Sequence, residues 1–170
     1  MNINPHKIVL NDLRLLLQNI DSDAFIKKNK ILSGASIGEH FRHIIEFYQC
    51  CLQQHKNTFV NYDLRVRNKE LETNKTKGIE AVDFVFEVLN KLENKDDTNL
   101  IMRSVLENEE EDGNAIKTTF FRELIYCMDH SIHHQSLIKI ALIDQGIAHL
   151  IQDNFGVAFS TQNYRNQCVS

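Results

Sequence analysis

The run from Phe120 to Gln145 carries neither glycine nor proline, and it limits what this chain can fold into more than any other stretch. A breaker-free segment of that length predicts one long helix. Inside it lies Asp129-His130-Ser131-Ile132-His133-His134. Residues four apart on a helix sit one above the other, so His130 and His134 point their imidazoles the same way. Two neutral imidazoles at that spacing are half of a transition-metal site. His133 projects about 60° from His130, at about 100° per residue, toward Arg122, Asp129 and Ser136, and reads as a surface or rim histidine.

The remainder of the chain favours the same kind of structure. One proline, six glycines and no tryptophan in 170 residues point to long helices rather than a turn-rich β-fold. At 42% hydrophobic and 25% charged residues, the chain can bury a sizeable core, and residues 1–170 read as a single domain. A net charge of -4 argues against non-specific binding to nucleic acid or an anionic membrane. The N-terminus lacks a signal-peptide pattern, and no apolar run approaches the roughly 20 residues that span a bilayer. A cytoplasmic protein is expected. Cys50, Cys51, Cys127 and Cys168 show no C-x-x-C spacing and read as reduced thiols.

Four helices are expected, near residues 5–20, 36–56, 77–93 and 119–145. Asn4-Pro5 reads as a cap and first helical residue, with Ile8, Leu13, Leu16, Leu17 and Ile20 as the apolar stripe. Ser36-x-x-Glu39 is a capping box. In the helix it opens, Ile37, Phe41, Ile44, Ile45, Phe47, Tyr48, Cys51 and Leu52 form the apolar face, while Arg42, Glu46, Gln49 and Gln53 mark the wet side. Residues 57–75 read as a polar connection. Leu100–Leu106 and Ala115–Thr118 flank an acidic turn, Asn108–Asn114, as a small β-hairpin or a long ordered loop. Thr118 or Thr119 caps the last long helix, whose core face carries Phe120, Leu124, Cys127, Ser131, Ile138 and Leu142. Gly146 follows as its C′ residue. The patch Phe155–Phe159 is expected to fold back on the helices.

The third metal ligand is expected from Ser36-Ile37-Gly38-Glu39-His40-Phe41-Arg42-His43 on the second long helix. His40 lies nearer the middle of its apolar face and His43 at the border. A histidine pair alone is also explained by satisfied core or surface histidines; the second cluster tips the balance toward a metal. Three imidazoles would leave coordination positions open, as catalytic sites do. Cys50 and Cys127 fall near these histidines, but small buried hydrophobes are the simpler account of both. Glu123 shares a face with His130. It reads as an acceptor for an imidazole N–H or a base, with favourable placement in the first helical turn as the plainer explanation.

Ser36–Ile44, Arg122-Glu123-Leu124 and His130-Ser131-Ile132-His133-His134-Gln135 resemble the DinB/YfiT-like metalloenzyme family, in order and spacing, over nearly the whole chain. The resemblance implies an all-α, DinB-like four-helix bundle with long connections that is not simply up-and-down. It implies a divalent metal held by His43, His130 and His134. Relatives include transferases that use low-molecular-weight thiols (bacillithiol, mycothiol, glutathione) and a maleylpyruvate isomerase. His40 departs from the family pattern, which places an apolar residue there.

The expected function is therefore a divalent-metal-dependent enzyme acting on a small-molecule substrate, with thiol transfer suggested by the resemblance and hydrolysis as its nearest competitor. The alternative from another class is a non-catalytic helical bundle that binds a metal or small ligand, as a homodimer. Zinc, iron and nickel all accept imidazole, so the residues do not choose among them.

Overall fold

Ser36 starts the helix against which most of the others pack. The structure is a computed structural model that describes residues 1–92, 95–104 and 115–168. Its helices, in chain order, are α1 (Asn4–Asn19), α2 (Ser22–Ile26), α3 (Ile37–Gln54), α4 (Glu70–Thr73), α5 (Lys75–Leu92), α6 (Phe120–Asp144) and α7 (Phe159–Cys168). Three short strands, β1 (Phe59–Val60), β2 (Asn99–Arg103) and β3 (Ala115–Thr119), form one sheet in the order β1-β2-β3. The fold is mainly α. No described helix is long and apolar enough to cross a membrane.

The capping box forms as expected: Glu39 N–H donates to Ser36 Oγ at 3.1 Å, and Ser36 N–H donates to Glu39 Oε2 at 2.7 Å. A cap of this kind is worth about 1 kcal/mol and fixes where α3 begins, hence which way each later side chain points. At the start of α1 the N-cap position is Ile3 rather than Asn4, and Ile3 offers no side-chain cap. Asn4 is already helical, and its N–H donates to Asn2 Oδ1 at 3.0 Å. The apolar stripe of α1 also differs from the expected one. Val9, Leu10, Leu13, Leu16 and Leu17 are buried, whereas Ile8 is 47% exposed. At about 100° per residue Ile8 stands about 140° from the middle of that face.

Ile20 is the C-cap of α1, and the next residue, Asp21, caps α2 by accepting from Asp23 N–H at 2.8 Å. Ser33 and Gly34, both at positive φ, then turn the chain into α3. Residues 57–75, expected as connection, hold β1 and α4 as well. Gly38 lets α4 approach: a Cβ there would stand 2.1 Å from Glu72 O.

α3 packs on α6 and on α5, while α1 packs on α5 and α6. One apolar cluster draws Leu13 and Leu17 from α1, Phe41 and Tyr48 from α3, Val82 and Leu89 from α5, and Leu124 and Leu142 from α6. Buried Gln135 ties α6 to α1 by donating to Val9 O at 2.8 Å. β1 pairs parallel with β2, and β2 antiparallel with β3. The acidic turn expected between β2 and β3 lies outside the described residues. Phe120 N–H donates to Thr98 O at 2.8 Å, and Thr119 Oγ1 accepts from Arg122 N–H, so the sheet sets the start of α6. Gly146 follows α6 at φ 74° as its C′ residue. Phe155 folds back into the core, and Gly156 lies against the backbone of Gln135 and Ser136.

Candidate metal centre

The packing of α3 on α6 brings His43 to His130 and His134. One ring nitrogen from each of the three lies within 4.8 Å of the others. His43 Nε2 stands 2.8 Å from His130 Nε2. Ring centroids are 5.0 Å apart for His43–His130, 4.5 Å for His43–His134 and 4.6 Å for His130–His134. Nitrogens bound to one tetrahedral ion at 2.0–2.1 Å stand about 3.3 Å apart, so this donor set fits a first-row divalent metal after a small opening of the His43–His130 pair.

All three imidazoles are half-buried. Burial, reinforced by neighbouring Arg65 and the other histidines, lowers the His43 pKa to about 3. Burial likewise lowers His134 to about 3, and His130 falls below its ordinary value for the same reason. Each ring is therefore neutral at neutral pH, with a lone pair to offer, which is what a metal ligand requires.

His40 is the fourth imidazole of the group but falls outside the mutually close set. Its Nδ1 lies 2.9 Å from His134 Nδ1, while its Nε2 is buried without a hydrogen-bond partner. His133 is exposed, as its position on the helix predicts.

Aromatic rings wall the cluster. Phe47 stacks on His130 at 4.4 Å, and Tyr62 stacks on the Phe47 ring at 4.7 Å with planes 8° apart. Tyr126 packs near His130 at 5.6 Å. Phe47, Tyr62 and Tyr126 also line a cavity of about 290 Å³, with Arg103 and Arg122 among its polar groups.

Glu123 is not the imidazole acceptor expected of it. It is buried and accepts from Tyr62 Oη at 3.0 Å, Thr118 Oγ1 at 2.7 Å and Arg122 Nη1 at 3.0 Å. Thr118 and Tyr62 hold its carboxylate at the start of α6, on the cavity side of Tyr62 rather than against a histidine. Cys50, Cys51 and Cys127 are buried and free, Cys168 is exposed, and none joins the histidine cluster.

Two residues beside the cluster escaped the sequence reading. Glu46, expected on the wet side of α3, is 2% exposed because the 57–75 segment and α4 cover it. Its Oε1 accepts from Asn68 N–H at 2.7 Å, and Arg42 Nε and Arg65 Nε each stand 3.6 Å from the carboxylate. Arg42 also pairs with Glu72 of α4. Arg65 lies over the Phe47 ring at 5.2 Å, donates from Nη1 to Tyr62 O at 2.9 Å, and places Nη2 3.2 Å from His43 Nδ1. The available signal was the aperiodic Tyr62-Asp63-Leu64-Arg65 segment, whose residues have no helical face to explain them.

No family model matches the chain, and no solved structure matches it. Among curated proteins, the chain is similar to FK506-binding protein 5 of Rhizopus delemar, with 25% identity over 142 residues. That alignment covers 83% of this chain and 31% of the fungal protein, so the chain spans about a third of the length of the relative it matches.

Proposed function

We propose that this chain is a divalent-metal-dependent enzyme of the DinB type, whose four long helices make the family's bundle and whose metal ligands are His43, His130 and His134. The observation that carries the reading is the mutual approach of three imidazole nitrogens from two helices, within 4.8 Å. A fourth protein ligand is absent from that set among the described residues, which favours an open, catalytic site over a closed, structural one.

The chain's own residues divide the work. His130 and His134 supply a rigid i,i+4 pair, and His43 reaches across from α3. Burial keeps their lone pairs free of protons. Phe47 and Tyr126 shield His130 from water, and the cavity they line is the place for a small-molecule substrate. When bound, a divalent metal supplies a Lewis acid that lowers the pKa of a water or thiol and holds it as a nucleophile near neutral pH. Thiol transfer to an electrophile is the reaction class proposed, in a cytoplasmic setting where low-molecular-weight thiols are present. FK506 binding, the property in the fungal relative's name, belongs to a protein of which this chain matches 31%, and nothing in the histidine cluster calls for it.

The test is metal content after purification without nickel affinity, followed by activity with a thiol and an electrophile. About one equivalent of retained zinc, iron or nickel and thiol-dependent turnover are expected. Bound metal with ester hydrolysis alone would make the protein a hydrolase. Bound metal without any turnover would favour a non-catalytic metal-binding bundle, and failure to take up metal would overturn the proposal.

A further inference from the structure

A neutral imidazole has one N–H and one lone pair, and a guanidinium only donates. Arg65 Nη2 is 3.2 Å from His43 Nδ1, so Nδ1 must be the acceptor. The ring hydrogen of neutral His43 then sits on Nε2, directed at His130 Nε2 at 2.8 Å. That tautomer cannot bind a metal through Nε2. If Nε2 gave its lone pair to a metal, the hydrogen would sit on Nδ1 and face an Arg65 N–H, donor against donor. If Nδ1 were the ligand instead, Arg65 would occupy the place of the ion. By either nitrogen, Arg65 has to leave His43.

An acceptor stands ready for it. Arg65 Nε and Glu46 Oε2 are both buried and without hydrogen-bond partners, and they lie 3.6 Å apart, just beyond bonding reach. The geometry points to Arg65 as a positioning residue that competes with the metal for His43 and moves onto Glu46 when the metal binds. The idea rests on the metal reading above and adds its regulation. Ligation of His43 and closure of the Arg65–Glu46 pair become one coupled event, and Glu46 is the residue that makes metal uptake favourable at that flank.

The experiment is a Co²⁺ titration read by ligand-field absorption, on the full chain and on Arg65→Met, Glu46→Gln and the double variant. Methionine keeps the apolar stem of Arg65 and removes every donor. Arg65→Met should bind Co²⁺ roughly ten- to a hundredfold more tightly, the worth of a released charge-assisted hydrogen bond. Arg65→Gln, which offers an acceptor to Nδ1–H, should also bind more tightly and guards against a folding defect in the methionine variant. Glu46→Gln should bind more weakly, and that loss should vanish in the Arg65→Met background. Nitrogen NMR of the His43 ring should report the Nε2–H tautomer before metal is added and its loss in Arg65→Met. Unchanged or weaker binding by both Arg65 variants, alongside normal binding by the parent, would overturn the competition alone. Failure of parent and variants alike to bind Co²⁺ would overturn the metal reading and the competition together.

Discussion

The two flanks of the histidine cluster present opposite chemistry to the same kind of ring. At His134 the neighbour is His40, a neutral imidazole that can accept an N–H and so leave His134 Nε2 free for a metal. At His43 the neighbour is Arg65, which can only donate and so keeps a hydrogen on the nitrogen that faces His130. The two rings are alike in type, burial and lowered pKa; their distal partners set them apart. Three imidazoles in proximity do not by themselves make a metal site, because each must present the correct nitrogen with its lone pair exposed.

Removing the ligands should have the largest effect. His130→Ala and His134→Ala should each lower metal affinity by more than a hundredfold in a zinc-competition assay, with His43→Ala close behind, whereas exposed His133→Ala should change it little. A next step isolates the favourable flank. His40→Phe keeps a ring of similar shape and removes the acceptor, and it should weaken metal binding by about ten- to a hundredfold, the usual cost of losing an outer-sphere partner. Arg65→Met should move affinity the other way. If both substitutions shifted affinity in the same direction, His40 and Arg65 would not act oppositely on the rings they touch.

Acid stability tests the burial common to both flanks. His43 and His134 have pKa values near 3, and buried His6, beside Tyr48, lies near 4, against about 6.5 in an unfolded chain. Between pH 6.5 and about 3 the unfolded chain therefore binds more protons than the native one, so native stability rises with pH across that window and levels off above about pH 7. Urea unfolding at pH 7 and pH 5 should show a lower midpoint at pH 5. A midpoint independent of pH would mean that these rings are solvated. The smallest effect expected is that of Ser36→Ala, which removes the cap that sets the register of α3 and His43. It should cost about 1 kcal/mol of stability and weaken metal binding only slightly.

Much of this was legible along the chain. Apolar periodicity and the Ser36–Glu39 box placed the long helices to within a few residues, because both signals are local. The i,i+4 spacing of His130 and His134 placed two of the three clustered imidazoles for the same reason. From periodicity alone His43 and His40 could be nominated but not separated, since which of them joins His130 depends on how α3 rolls against α6; only the family resemblance singled out His43, the one that joins the cluster. Glu46 read as a wet residue because it follows Arg42 by one turn; burial came from α4 and the 57–75 segment, whose path no periodicity announces. β1, only Phe59–Val60, is too short to carry an alternation. Glu123 shared a face with His130 as expected, but Tyr62 and Thr118 claim its oxygens, and neither partner was visible from spacing.

Whether His43, His130 and His134 converge on one divalent ion can be seen by anomalous diffraction from zinc-soaked crystals. A single strong peak per chain is expected, bonded to one nitrogen of each of these three rings at about 2.0–2.1 Å, with Arg65 turned toward Glu46. A peak bound by His40 in place of His43, or no peak between α3 and α6, would contradict that convergence.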